Sequence, residues 1–244
     1  MHHLVLEFSN TRDSGDAYIC ATIFNTKNEN TMIPKLHYIS QGKSPKEHLE
    51  NIQQACTSGI ELVQLRLQNV SDKKLLEVAK EAREITAHFQ TRLLITDHYK
   101  IAREVKADGV LLENTDSCPT KARIHVYTWQ IIGGTANTLE ECQTLVAKQV
   151  DYIGLGPFRC TTTKDNVSQA LGLNGYLEIT KTLQTETPIM GVGGITTEDV
   201  TDILETGISG IGVSGEITRN FDTIKIFNQL LSASSTEEQR HTFK

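Results

Sequence analysis

Short apolar runs alternate with amphipathic stretches along most of this 244-residue chain. From Pro34 onward the runs read as strands at Leu36–Ser40, Glu61–Leu67, Leu93–Thr96, Gly109–Leu112, Trp129–Gly133, Tyr152–Leu155, Ile189–Val192 and Gly210–Val213. Most are too short for helices and nearly continuous in apolar residues, the pattern of strands covered on both faces. Between them the period lengthens to that of a helix. Ser44-Pro45-Lys46-Glu47 supplies a capping serine, a proline at the first helical position and a glutamate three after the cap, and the helix it opens stops near Gly59. Ser71-Asp72 caps a long helix whose buried stripe is Leu75, Leu76, Val78, Ala79, Ala82 and Ile85. Further helices are predicted through Ile101–Val105, from the capping box Thr138–Glu141, over Leu173–Leu183, over Thr196–Glu205 ending at Gly207, and over Asp222–Leu231.

Eight strand–helix units in about 200 residues predict an α/β fold, a (β/α)8 TIM barrel formed by a single domain. Its expected bounds are residues 34–233, with a poorly structured N-terminal arm at 1–33 and a polar C-terminal tail at 234–244 that frays after Ser232. An open doubly wound sheet is the alternative. It usually has fewer strands and a glycine fingerprint after the first, where this chain offers only Gly42. The arm ends at Met32, so translation starting there is a further expectation.

Composition narrows the function. Lys and Arg number 24 against 30 Asp and Glu, so the formal charge of −6 gives no overall attraction to nucleic acid or to an anionic membrane. Any anion must be held by a local cluster. Five widely spaced cysteines without a C-x-x-C pair suit a reducing cytoplasm better than a disulfide framework or a zinc site. No run reaches transmembrane length and no signal peptide is visible.

Barrel chemistry gathers at the C-terminal ends of the strands, and those ends are polar here. The stretch Asp151–Lys164, DYIGLGPFRCTTTK, leaves its strand at Gly156-Pro157 and ends in three hydroxyls and a lysine, groups suited to an oxyanion such as phosphate. Gln64 and Arg66 alternate with Val63, Leu65 and Leu67, so the two polar side chains share one face, the barrel interior. An arginine there needs an anionic ligand or an internal carboxylate. Asp97 and Asp116 end neighbouring strands and suit Mg2+, although an aspartate after a strand commonly caps a helix instead. Gly193-Gly194 and Ser214-Gly215 follow strands seven and eight, where barrels often hold a phosphate on backbone N–H groups; ligand-free tight turns are the alternative. Two anion sites result, and a reaction joining a monophosphate to a diphosphate fits them.

QLRLQ at 64–68, LLITD at 93–97, ADGVLLENTD at 107–116, IIGGTANTLEEC at 131–142, DYIGLGPFRCTTTK, PIMGVGGIT at 188–196 and GISGIGVSGEI at 207–217 follow one another in the order and spacing of the thiamine phosphate synthase family, which the chain resembles from about Pro34 to Leu231. The resemblance implies a transferase that joins hydroxymethylpyrimidine diphosphate to thiazole phosphate and releases pyrophosphate. It implies Mg2+ on Asp97 and Asp116, with Arg66, Thr135 and Lys164 as the catalytic contacts to the diphosphate. Gln64 would read the pyrimidine, and Gln68 and Thr96 would line the same site. Thr161 and Thr163 would flank the thiazole, and Gly193, Gly194, Ser214 and Gly215 would take its phosphate. The partners implied are these two small molecules; oligomeric state is left open.

The chain departs from the family at Gln68, usually lysine, at Thr96, usually asparagine, and at Leu111-Leu112-Glu113-Asn114, usually His-x-Gly-Gln. Each lost charge-assisted bond would cost about 1.5–3 kcal/mol. Glu113 either becomes a metal ligand or repels the diphosphate. A thiazole tautomerase on the same fold relies on a histidine after the fifth strand, where this chain has Thr135-Ala136-Asn137. A weakly catalytic barrel that binds thiamine intermediates is the reading from another class.

Overall fold

A computed structural model of the chain describes residues 33–113, 118–160 and 169–241, with side chains placed through residue 233. The expected arm therefore lies outside the described residues except for Ile33, where the compact barrel unit begins. Strands β1 (Leu36–Ile39), β2 (Leu62–Leu65), β3 (Arg92–Thr96), β4 (Gly109–Leu112), β5 (Ile131–Ala136), β6 (Tyr152–Leu155), β7 (Ile189–Val192) and β8 (Gly210–Val213) pair in parallel in chain order. β8 pairs with β1 and closes the ring. The expected (β/α)8 barrel is what forms.

Closure divides each strand by parity. On β2, Leu62 joins the apolar cluster inside the ring with Leu94, Leu111, Ile131, Tyr152 and Met190. Val63 and Leu65 face outward into the larger core under the helices. Gln64 therefore points inward, as the alternation predicted. The helices are α1 (Pro45–Thr57), α2 (Asp72–His88), α3 (Tyr99–Glu104), α4 (Pro119–His125), α5 (Leu139–Ala147), α6 (Gly172–Leu183), α7 (Val200–Glu205), α8 (Gly215–Arg219) and α9 (Thr223–His241). Ser44, Ser71 and Thr138 cap α1, α2 and α5 through their hydroxyls, and Thr138 completes a capping box with Glu141. No described helix is long and apolar enough to cross a membrane.

Three details differ from the sequence reading. The fifth strand runs from Ile131 to Ala136, so Thr135 lies within it. Gly133 and Gly134, which look like a stop, are glycines for packing: a Cβ on Gly133 would lie 2.3 Å from the Tyr152 ring, and one on Gly134 would lie 2.5 Å from Leu145. Two short helices, α4 and α8, were not foreseen. The tail expected to fray after Ser232 continues α9 to His241, because no glycine or proline intervenes.

Two aspartates fasten the N-terminal end of the barrel in the same way. Asp108, just before β4, accepts hydrogen bonds from the Leu93 N–H of β3 at 2.8 Å and from Arg83 of α2 at 2.6 Å. Asp151, just before β6, accepts from the Ile132 N–H of β5 at 2.8 Å and from Arg123 of α4 at 2.6 Å. Each carboxylate thus joins a helix to the preceding strand, at the end where barrels place stability rather than chemistry. Replacement of Asp108 by alanine is expected to cost about 1.5–3 kcal/mol, read from the urea midpoint; an unchanged midpoint would remove the fastening role.

Inside the ring, His37 and Tyr152 meet edge to face with centroids 5.3 Å apart. Both are buried, and neither His37 Nε2 nor the Tyr152 hydroxyl finds a protein hydrogen-bond partner among the described residues. Burial lowers the His37 pKa to about 4, opposed by a backbone hydrogen bond at Pro34 and assisted by Arg92, and burial raises that of the Tyr152 hydroxyl. The unfolded chain takes up the His37 proton near pH 6.5, whereas the folded chain resists it until about pH 4. Stability is therefore lost as pH falls through that window, by up to about 3 kcal/mol. His37→Leu is expected to flatten this acid slope in urea titrations from pH 7 to 4, and an identical slope would refute the assignment.

Candidate functional site

The C-terminal ends of β2, β3 and β4 converge on one carboxylate. Glu113, the residue after β4, holds Arg66 Nε with both oxygens, at 3.0 and 2.9 Å. Its Oε1 also accepts from Gln64 Nε2 at 3.1 Å. The second hydrogen of that amide goes to Thr96 Oγ1 at 2.9 Å, so both Gln64 donors are used within the site. Arg66 and Glu113 are 15% and 10% exposed, so water screens the pair only in part. Of the two partners foreseen for Arg66, the internal carboxylate is the one the structure shows. The Arg66 backbone is fixed as well: its N–H donates to Ser40 Oγ, which is hydrogen-bonded to His48 Nδ1 on α1.

Asp97 has a left-handed backbone, φ 60°. Aspartate tolerates this conformation better than most residues, but it is still uncommon. Two bonds hold it there: its N–H donates to the Leu111 carbonyl at 2.8 Å, and its Oδ1 accepts the Glu113 N–H at 2.7 Å. Asp97 does not cap α3, whose cap residue is His98 with no side-chain bond. Its carboxylate instead crosses to the end of β4. Asp116 lies outside the described residues, and Gln68 is exposed beyond β2.

This donor set fits Mg2+. The ion prefers hard oxygen ligands and usually takes one or two carboxylates, the rest coming from water and phosphate. Asp97 supplies such oxygens at the end of β3, beside the Glu113 carboxylate that follows β4. Among the described residues no cluster of three metal-ligating side chains occurs, and Mg2+ does not require one.

The opposite side of the mouth is built from backbone. Gly193 and Gly194 are left-handed, φ 96° and 72°. A Cβ on Gly193 would lie 2.6 Å from that of Pro157, so the turn after β7 is seated directly on the start of the loop after β6. Phe158 N–H donates to the Val192 carbonyl and Arg159 N–H to that of Gly193, while the Arg159 guanidinium takes the Gly194 carbonyl at 2.7 Å. Both glycine carbonyls are thus engaged, and the two glycine N–H groups have no protein acceptor among the described residues. Arg159 also forks onto both oxygens of Asp199, which accepts from Thr196 as well. Burial alone would raise the Asp199 pKa, but these bonds outweigh it and hold the carboxyl below its usual range.

Tyr176 of α6 completes this side. Its buried hydroxyl donates towards the Leu155 carbonyl at 3.0 Å and accepts the Val192 N–H at 3.1 Å, joining the ends of β6 and β7. Ser214 Oγ lies 3.5 Å from Gln41 Oε1, and Gly215 opens α8 beside them. The loop after β6 is pinned at its base, since Leu171 and Gly172 donate to the carbonyls of Pro157 and Phe158. Thr161, Thr163 and Lys164 lie outside the described residues. Thr135, half-buried on β5, sits between the two sides with its hydroxyl 3.5 Å from the Leu112 carbonyl, and Asn137 donates to the Gly156 carbonyl at 2.7 Å.

Gln64, Arg66, Thr96 and Asp97 therefore form one cluster, and Gly193 and Gly194 a second. The sequence reading missed the Arg66–Glu113 pairing, Arg159 with Asp199, and Tyr176. A wide, shallow depression lined by Ser58, Gly59, Lys225 and Asn228 lies away from the mouth and gathers no reactive side chains.

The family model described as thiamine monophosphate synthase matches residues 36–217. The chain is 41% identical over 204 residues to thiamine-phosphate synthase of Flavobacterium johnsoniae, covering 82% of this chain and 96% of that protein. It is 34% identical over 200 residues to thiamine-phosphate synthase of Bacteroides fragilis, covering 81% of this chain and 98% of the relative. The solved structure of thiamine phosphate pyrophosphorylase from Pyrococcus furiosus superposes with a TM-score of 0.70 at 26% identity, covering 81% and 96% of the two chains.

Proposed function

The chain belongs to the thiamine monophosphate synthase family, and from that membership we infer that the barrel mouth joins hydroxymethylpyrimidine diphosphate to thiazole phosphate, releasing pyrophosphate and forming thiamine phosphate. The enzyme is a transferase of thiamine biosynthesis acting on small molecules. The observation that carries the reading is the two-sided mouth: charged side chains gather at β2–β4, and backbone N–H groups without protein acceptors among the described residues gather at the β7 turn.

In the assignment of residues proposed here, the diphosphate lies between Arg66 and Asp97, with Thr135 and Lys164 on its oxygens. Gln64 spends both amide hydrogens on Thr96 and Glu113, so its amide oxygen is the atom left to accept from the pyrimidine amino group. Thr161 and Thr163 flank the thiazole, while Gly193, Gly194, Ser214 and Gly215 receive its phosphate. Gln68 and Thr96 line the diphosphate side, Gln68 from the exposed edge.

The chemistry needs no protein nucleophile. The bond from the pyrimidine methylene to diphosphate oxygen breaks, its electron pair leaving with pyrophosphate, and the thiazole nitrogen lone pair forms the new C–N bond. Arg66 and Lys164 stabilise the charge that grows on the departing oxygen. The two sides of the mouth hold the reactants face to face, which converts a bimolecular encounter into a local one. Mg2+ on Asp97 and Asp116 would add further neutralisation of the diphosphate. The hydrogen bonds of Tyr176 and Arg159, which join the end of β6 to the end and turn of β7, keep the acceptor in place.

The tautomerase alternative lacks its histidine: β5 ends in Thr135-Ala136 and is followed by Asn137. We also place the enzyme in the cytoplasm. Support comes from the free thiols of Cys56, Cys118, Cys142 and Cys160, of which Cys142 is pushed up to about 12 by burial. The defining experiment is a pyrophosphate-release assay with both substrates, with and without magnesium. Release that needs both substrates and rises with magnesium is expected, and no release under any condition would refute the assignment. Lys164→Ala is expected to lower kcat by about 100-fold or more while leaving the melting temperature nearly unchanged; an unaltered kcat would remove Lys164 from the mechanism.

A further inference from the structure

Glu113 is an anion placed inside an anion site. One carboxylate engages Arg66 Nε through both oxygens and Gln64 through Oε1, and the same residue's N–H is held by Asp97 Oδ1. It therefore contacts both groups between which the proposed diphosphate lies, Arg66 and Asp97, as well as the Gln64 amide assigned to the pyrimidine. The position is fixed, because Asp97 clamps the Glu113 backbone and the side chain is only 10% exposed. Its effect on Arg66 is partial. The bonds fall on Nε, and the Nη donors make no protein hydrogen bond among the described residues.

The charges have opposite consequences before and after a ligand arrives. Without ligand, Glu113 neutralises a poorly solvated guanidinium and is its one ion-pair partner among the described residues. A free diphosphate entering the site would meet Arg66 already half-satisfied and a fixed negative charge beside it. A diphosphate that brings a divalent cation presents positive charge to the same carboxylate, and repulsion becomes attraction.

We propose that Glu113 is the specificity-determining residue of the diphosphate subsite, restricting it to diphosphate that carries a divalent cation by competing for Arg66 with diphosphate that does not. The proposal rests on the placement of the diphosphate between Arg66 and Asp97. It is distinct from Glu113 serving as a clamp that merely orients Arg66, because a clamp predicts weaker binding when it is removed, whereas a competitor predicts tighter binding.

The test is calorimetric titration of inorganic pyrophosphate into the full chain, with saturating magnesium and with chelator, for the wild type, Glu113→Gln, Glu113→Ala and Arg66→Ala. Glutamine keeps the shape and removes the charge, and alanine provides a second variant should glutamine disturb the fold. Both Glu113 variants are expected to bind metal-free pyrophosphate about tenfold more tightly than the wild type, the effect of one lost like charge at close range. Magnesium should then improve their affinity by a correspondingly smaller factor. Unchanged or weaker metal-free binding, with magnesium pyrophosphate still bound and still sensitive to Arg66→Ala, would overturn the Glu113 proposal alone. If magnesium pyrophosphate binds to none of the proteins, or Arg66→Ala leaves wild-type binding intact, the diphosphate placement itself falls and the proposal falls with it.

Discussion

Closing eight parallel strands into a ring removes every free edge and fixes which way each side chain points. Alternate residues must enter the barrel, and the interior narrows to a packed column of Leu62, Leu94, Leu111, Ile131, Tyr152 and Met190. Above that column the inward positions on β2 and β3 are polar, Gln64 and Thr96, and Arg66 and Glu113 follow just beyond the strand ends. Groups from distant parts of the sequence are thus brought within hydrogen-bond reach without any single loop having to be long. Position comes from the ladder; chemistry comes from the few residues past its end.

The consequence is a site whose charged side is supported from several directions. Ser40 and His48 hold the Arg66 backbone, Glu113 holds its guanidinium, Asp97 holds Glu113, and the Leu111 carbonyl holds Asp97. The left-handed backbone of Asp97 is tolerable within such a set, because two hydrogen bonds specify it. No one of these contacts would position a diphosphate ligand alone. Together they confine the ionised groups to the geometry in which they sit before substrate arrives, which is the condition for electrostatic catalysis without costly reorganisation.

The fold was legible because buried parallel strands write themselves as compact apolar runs, and because Ser44, Ser71 and Thr138 announce helix starts chemically. Where the reading faltered, a residue had a long-range reason. Gly133 and Gly134 look like a turn, yet they make room for Tyr152 and Leu145, which no local pattern reveals. The helix α4 has only seven residues and a cysteine cap that makes no side-chain bond, so its start is weakly marked apart from Pro119. The strand-end polar residues could be found one at a time, but their pairing could not. Glu113 stands 47 positions from Arg66, and Tyr176 ties β6 to β7 through its hydroxyl, contacts that carry no periodicity. The one signal for Glu113 was that it stood where the family usually has glycine.

The two sides of the mouth differ in kind, and the reaction gives a reason. In the proposed assignment the thiazole phosphate keeps its charge from binding to product, so neutral backbone N–H groups, fixed by Gly193, Gly194 and the Arg159–Asp199 fork, suit it throughout. The diphosphate gains charge on the oxygen released from the pyrimidine methylene as it leaves. Stabilising that change requires groups whose attraction grows with it, which means full charges in a partly dry setting rather than dipoles. Full charges in such a setting are unstable when alone, so a subsite built on Arg66 needs an internal counter-ion while it waits. In this chain the carboxylate after β4 fills that need, and on the proposed assignment the same carboxylate then stands against the incoming ligand. On the proposed reading, this chain keeps the arginine that assists the leaving group together with a built-in competitor for it.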